Sequence, residues 1–251
     1  MTAPDLVASF GKYFRVVVAD SPALRDEVYR IRYKVYCKEM RTEREEQFPD
    51  GREYDIYDDS AAHCLLQHRP SGLYAGCVRL VYSDPVTSPT LPFEVHCHDS
   101  LYPSMMEAVL SHRGEFGEIS RLAVPAEFRR RKGEQGTPIP IQLDEQPTGS
   151  SRERRNQSPQ ITMGLFLAAA AMGLIKGMSG VFAMMEPRLS RYLRQVGLEF
   201  EQAGEEVDYH GKRAAFYITK EGLKLNGDMA ALLDYITNEI KAQQVLKKAQ
   251  S

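Results

Sequence analysis

The 251-residue sequence has no apolar run long enough to span a membrane, since its most apolar segment, Ile161 to Ile175, is followed at once by Lys176, short of the roughly 20 residues a spanning helix needs. The opening stretch MTAPDLVASFGKYFR carries no apolar run behind a basic start, so it does not read as a secretion signal. The four cysteines, Cys37, Cys64, Cys77 and Cys97, form no CxxC pair, which removes the zinc knuckle and the redox dithiol and leaves unreactive thiols. No glycine-rich fingerprint opens a helix after the first strand, so the doubly wound dinucleotide fold lacks its signature. The net charge of −2 argues against a broad nucleic-acid surface and against an acidic tail. A cytoplasmic protein with no transmembrane span, no nucleic-acid partner and no tightly bound cofactor is the expectation. His96 and His98 flank Cys97, but no spaced third ligand accompanies them, so they read as polar residues near a loop and no metal site is assigned.

What is present is a regular alternation of elements. Three consecutive valines make Phe14 to Ala19 a strand. Asp20 or Ser21 caps the helix that follows, Pro22 suits its first position, and Leu24, Val28, Ile31 and Val35 form a buried stripe as far as about Met40. Arg41 to Asp59 is strongly polar. Ala61 to Gln67 and Leu73 to Tyr82 read as a hairpin, a short helix fits Tyr102 to Leu110, and Phe116 to Val124 is the next strand. Residues 127–160 combine glycine, proline, glutamine and two basic clusters without a period, which predicts a mobile or binding loop. Ile161 to Gly177 is apolar around most of its circumference and should be a buried helix. A strand at Val181 to Met185, a helix at Arg188 to Gln195, strands at Leu198 to Gln202 and Arg213 to Thr219, and a final helix from Met229 to Leu246 complete the order. A single α/β (α+β) domain over 1–251 accommodates it, a mixed sheet with helices packed on it and a helical extension at 223–251.

Four segments break the apolar pattern with charge: RIRYKVYCKEM from Arg30, EYDIYDD from Glu53, GCVRLV from Gly76 and GEISRLAV from Gly117. Arg32 and Arg79 each interrupt an apolar element, and an arginine at a core edge demands a carboxylate, a phosphate or a ligand anion. Glu53, Asp55 and Asp58 lie between them in sequence and fit that role. A structural ion-pair network satisfies the same demand. Glu118 and Arg121 add a possible base and a second cation on another strand, which favours a working site. In strict alternation Glu118 and Ser120 face one way and Ile119 and Arg121 the other, unless a bulge shifts the parity.

These motifs, in this order, resemble the acyl-homoserine-lactone synthase and N-acyl amino acid synthase branch of the GNAT acyltransferases, most closely the acyltransferases associated with PEP-CTERM/exosortase systems. The resemblance runs from about Phe14 to Thr219 and includes MGLFLAAAAMGLIKG and MEPRLSRYLRQVGLEF. It implies a GNAT-like fold and an enzyme moving a medium- or long-chain fatty acyl group from an acyl carrier protein thioester, or from acyl-coenzyme A, to the α-amine of an amino acid. It assigns Glu118 and Arg121 to catalysis, and Arg32, Glu53, Asp55, Asp58 and Arg79 to the acceptor pocket, with Arg79 or Arg121 pairing the acceptor carboxylate. Acyl carrier proteins are generally acidic, so Arg129, Arg130, Arg131, Lys132, Arg152, Arg154 and Arg155 are the expected donor-docking residues.

Two departures shape the expectation. The chain has no tryptophan, whereas homoserine-lactone synthases commonly carry one after the early helix, which favours N-acyl amino acid synthesis over a lactone synthase using S-adenosylmethionine. The spaced glycines of the usual pyrophosphate signature are absent before Met163, although backbone amides at Thr162 to Leu165 remain candidates for phosphate. A covalent route through Cys37 or Cys77 lacks a cysteine-histidine-acid set, the apolar helix suits an acyl tunnel and a plain core equally, and a non-catalytic carrier-binding module is the alternative from another class.

Overall fold

The computed structural model describes residues 3–83, 90–129, 157–209 and 211–250. Helix α1 (Ala3–Tyr13), which the sequence reading left without an element, leads directly into β1 (Phe14–Val18). Helix α2 (Pro22–Arg32) begins where its cap predicts: Pro22 takes the first position and the Leu24 N–H donates to Ser21 Oγ at 3.3 Å. The expected run to Met40 is helical but not uniform. From Tyr33 to Glu39 it widens into π-helical turns, a geometry found mainly beside functional sites.

The hairpin is present as β2 (Ala61–His68) and β3 (Tyr74–Tyr82). Helices α3 (Pro92–Cys97) and α4 (Pro103–Ser111) precede β4 (Phe116–Ala123). Then come α5 (Gln157–Ile175), β5 (Gly180–Met185) and α6 (Pro187–Gln195). The chain ends with β6 (Glu201–Gln202), β7 (Val207–Asp208), β8 (Lys212–Thr219) and α7 (Gly227–Gln250). The expected strand from Leu198 is cut to two residues, because Leu198 instead bridges Leu223. Among the described residues no helix is long and apolar enough to cross a membrane.

The strands form one mixed sheet in the order β1-β2-β3-β4-β5-β8-β6, with β7 on β8, and only β4 and β5 are parallel. Close approach of β3 and β4 explains a glycine in each charged strand motif. A Cβ on Gly117 would sit 2.8 Å from the Val81 carbonyl oxygen, and one on Gly76 2.8 Å from that of Ala123.

The two faces of the sheet differ. The back is covered by α1, α5, α6 and α7 over one continuous apolar core that includes Phe10, Val78, Leu80, Ile119, Leu165, Val181 and Ile236. Helix α5 is buried on nearly every side, as its all-round apolar composition requires. The front has two separate apolar clusters: α2 covers Leu65, Cys77 and Ala123, while Phe93 and Cys97 of α3 pack with Val81, Phe116, Phe182 and Ala215. The gap between these covers holds the charged residues.

The outer edge of β1 is closed by α7. Val16 N–H donates to Glu239 Oε2 at 3.2 Å, Val18 N–H donates to Gln243 Oε1 at 3.0 Å, and Gln243 Nε2 donates to the Val16 carbonyl at 2.9 Å. Side chains thus stand in for a neighbouring strand on an edge that would otherwise invite pairing with another chain. The double substitution E239A/Q243A is expected to cost about 2 kcal/mol and to increase self-association, measured by urea unfolding and light scattering. An unchanged urea midpoint would sink this account of the edge.

Candidate active site

Asp58 is the hub of the charged cluster. Its Oδ1 accepts from Arg32 Nη1 at 2.6 Å and from Arg79 Nη1 at 2.9 Å, while its Oδ2 accepts the Asp55 N–H at 2.7 Å. Arg32 also donates through Nε to Glu53, and Arg79 donates through Nη1 to Asp55 at 2.5 Å and through Nε to Ser120 Oγ at 3.1 Å. Arg32, Arg79, Glu53 and Asp58 are all buried. Burial favours the neutral carboxyl at Asp58, yet Arg32 and Arg79 override it and hold the group well below the usual carboxylate range. Burial is likewise outweighed by Arg32 and Arg121 at Glu53, and by Arg79 at Asp55, so both pKa values are lowered.

His63, which sequence reasoning passed over, stands opposite Arg79 in the β2–β3 register with Nε2 3.6 Å from Asp58. Burial lowers its pKa to about 4 despite that carboxylate, so it is a neutral filler of the cluster at neutral pH.

Arg121 reaches the cluster through a bulge. Arg79 pairs with Ser120 and Cys77 with Ala123, so two steps along β3 match three along β4. The extra residue is accommodated at Arg121, which takes a left-handed φ of 50°. Strict alternation sends Arg121 to the back with Ile119. The bulge instead leaves Ile119 and Leu122 in the back core and turns Arg121 forward, where Nε donates to Glu53 at 3.1 Å and Nη2 donates to Glu43 at 3.3 Å. Pairing of β4 with β5 extends from Phe116 to Ile119, so the bulge lies where the two parallel strands part.

A cavity of about 110 Å³ opens at this point. Asp55, Arg79, Glu118, Ser120 and Arg121 line it with Tyr36, Thr42, Glu43, Tyr57, His96, Tyr209 and Arg213. Glu118 is buried and accepts the Phe93 N–H at 2.7 Å through Oε2. Burial raises its pKa to about 8, against the pull of that N–H and of Arg79 and Arg121. It therefore takes and releases protons near neutral pH, unlike the three carboxylates beside it. A separate apolar cavity of about 40 Å³ lies behind the sheet, and Ile119 lines both.

The residues expected in the acceptor pocket are brought together but divide in two. Asp55 and Arg79 line the cavity, whereas Arg32, Glu53 and Asp58 stand behind it and hold the lining arginines in place. Glu43, Tyr209 and Arg213 belong to no sequence motif, and Tyr36 within RIRYKVYCKEM and His96 beside Cys97 carry no mark of this role; the five converge from the π-helical turns, the loop after them, α3, the β7–β8 turn and β8. Of the expected docking residues, Arg129 is buried and paired with Glu39. Arg130, Arg131, Lys132, Arg152, Arg154 and Arg155 lie outside the described residues. Among the described residues no cluster of histidine, cysteine and acidic side chains is arranged to hold a metal.

Removing Arg32 leaves Glu53 and Asp58 buried without one of their cations, so R32M is expected to destabilise the protein by about 3 to 5 kcal/mol in denaturant unfolding at pH 7. The sign with pH follows from the lowered carboxylates. Their contribution is complete above their unfolded pKa values of 3.8 and 4.5 and is lost as pH falls through the folded ones. The gap between wild type and R32M should therefore narrow in acid, and a pH-independent gap would show that the cluster is not its source.

Residues 31–137 match the family model described as the Acetyltransferase (GNAT) domain. No curated protein sequence matches the chain significantly. Among solved structures, the AHL synthase LasI is similar at 17% identity, with 88% of this chain and 94% of that one covered and a TM-score of 0.53. FeeM, an N-acyl amino acid synthase from uncultured soil microbes, is similar at 15% identity over 82% and 89% of the two chains, TM-score 0.51. BjaI, a coenzyme A-dependent acyl-homoserine lactone synthase solved with SAM and isopentyl-CoA, is similar at 20% identity over 89% of each chain, TM-score 0.50. The mixed sheet flanked by helices, parted beside a bulged β4, is the fold of the GNAT acyltransferases.

Proposed function

We propose that the chain is an acyltransferase that moves an acyl group from a thioester to the α-amine of a small acceptor bound in the polar cavity. One observation carries the reading: Glu118 stands buried in that cavity beside the point where β4 and β5 part, where burial pushes its carboxyl up towards the proton-accepting range at neutral pH. An ammonium must lose a proton before it attacks. Glu118, directly or through water, accepts that proton. The amine nitrogen then bonds to the thioester carbon, and the tetrahedral oxyanion is met by backbone N–H groups of the opened β4 edge. As the C–S bond breaks, the nitrogen's second proton passes to the departing thiolate, leaving an amide, a thiol and the first proton on Glu118 for release to solvent.

The likeness to BjaI, solved with SAM, makes S-adenosylmethionine the first acceptor to consider, and the likeness to LasI and BjaI together supports an acyl-homoserine lactone as the product. A free amino acid is the second reading, supported by the absence of tryptophan and by the likeness to FeeM. The four charged motifs, in their order, are what point within this branch to the PEP-CTERM/exosortase-associated group. The donor is an acyl carrier protein thioester or an acyl-coenzyme A, and the basic segments around residues 130 and 154 are the proposed docking element for the former.

Incubating the protein with long-chain acyl carrier protein, acyl-coenzyme A, S-adenosylmethionine and a pool of amino acids should yield a new acylated amine, identified by mass spectrometry. Consumption of S-adenosylmethionine with lactone formation selects the first acceptor, and an N-acyl amino acid selects the second. Carrier binding without any acylated product would reduce the chain to a binding module.

In E118Q, kcat/KM should fall by roughly 10²- to 10⁴-fold, with loss of the activity limb that rises through about pH 8. An unchanged pH profile would remove Glu118 from the chemistry. Burial pushes the thiols of Cys37 and Cys77 up to about 12, so C37A and C77A should both keep most turnover. Loss of turnover together with loss of an isolable acyl-enzyme would establish the covalent route instead.

A further inference from the structure

Three arginines line the polar cavity, and two already have counter-charges. Arg79 is held by Asp55 and Asp58, and Arg121 by Glu53 and Glu43. An incoming carboxylate gains little from either, because it must compete with acids already in place, two of them buried and two partly so. Arg213, the second residue of β8, is different. Among the described residues no carboxylate forms an ion pair with it, and its Nε is buried without a hydrogen-bond partner. A cation partly withdrawn from water beside a cavity, and left without a counter-charge, favours an anion in that cavity.

Its place in the sheet supports the same conclusion. Arg213 shares a face of β8 with Ala215 and Tyr217, which stand opposite Met184 and Phe182 of β5. Phe182 in turn stands beside Glu118. Arg213 and Glu118 therefore rise from the same face, two strand spacings apart and four residues along, about 16 Å between Cα atoms. Both side chains reach into the one cavity. The space between them suits a small molecule with an amine at one end and an anion at the other.

We propose that Arg213 is the acceptor-specificity residue of the site, receiving the acceptor's α-carboxylate while Glu118 faces its amine. This rests on the reading of the cavity as the acceptor site, and it moves carboxylate recognition from Arg79 and Arg121, where the sequence motifs put it, to a residue outside every motif.

The test measures binding by calorimetry and turnover separately, in wild type, R213Q and the charge-preserving R213K. The probes are S-adenosylmethionine against its decarboxylated form, and leucine and tyrosine against the corresponding amines without a carboxylate. Wild type should prefer a carboxylate-bearing probe by roughly 10- to 100-fold. R213Q should abolish that preference, R213K should retain part of it, and the acyl donor KM should stay unchanged in both.

A wild type with no carboxylate preference for any probe overturns the proposal, as does an R213Q that keeps the preference or alters only the donor KM. Carboxylate-dependent binding that R213Q abolishes, in a protein that forms no acyl product with any thioester, upholds the role of Arg213 and rejects acyl transfer. R213K, with thermal unfolding of each variant, separates loss of recognition from loss of folding.

Discussion

One carboxylate, Asp58, is shared by two buried arginines, and the front of the molecule is arranged around it. Arg32 comes from the end of α2, Arg79 from the middle of β3, and Asp58 from the polar segment between them. Any one of these charges, left alone at such burial, would cost several kcal/mol, so each element fixes the other two. Glu53 extends the constraint by pairing with both Arg32 and Arg121. Through that pair the left-handed backbone at Arg121 is tied to α2, and the bulge that opens the sheet is held by the charges it brings forward.

The remaining structure keeps this arrangement in place without sharing its chemistry. Stability comes chiefly from the back of the sheet, where α1, α5, α6 and α7 bury a continuous apolar core. The front divides its apolar contacts between two covers and leaves the gap polar. The π-helical turns of α2 meet the gap on one side: Tyr36 lines the cavity and donates its hydroxyl to the Leu122 carbonyl at 2.9 Å, just past the bulge. Glu39 in the same turns pairs with Arg129 and accepts the Ala126 N–H at 3.1 Å. The segment leaving β4 is thereby fastened to α2 before the basic stretch begins.

Much of this was legible in the sequence wherever a pattern is local. The valines of β1, the cap of α2, the hairpin and the all-round apolar α5 each carry their own signal, and the structure has each of them. The charged motifs also announced a cluster, because arginine inside an apolar element needs an acid. Which acid meets which arginine was not legible, since that depends on the approach of α2 to β3. The side on which Arg121 points was open until the bulge decided it. Tyr209 and Arg213 carried no signal, being ordinary residues until folding brings them to one cavity.

The cluster also explains why one carboxyl behaves unlike its neighbours. Glu53, Asp55, Asp58 and Glu118 lie within one small region, yet the first three are held ionised and the fourth is pushed towards its protonated form. Burial acts on all four in the same sense, most fully at Glu118, so the sign of each shift turns on one further thing. It is the direction of the guanidinium groups: Arg32, Arg79 and Arg121 hydrogen-bond to the first three, and Glu118 receives a single backbone N–H. Saturating the arginines with fixed acids leaves too little positive field to ionise the last carboxyl fully. Two classes of carboxylate with separated pKa values are thus built from one set of charges, the fixed ones shaping the wall and the free one exchanging protons. A site of this construction needs the structural ion pairs in order to have a base at all.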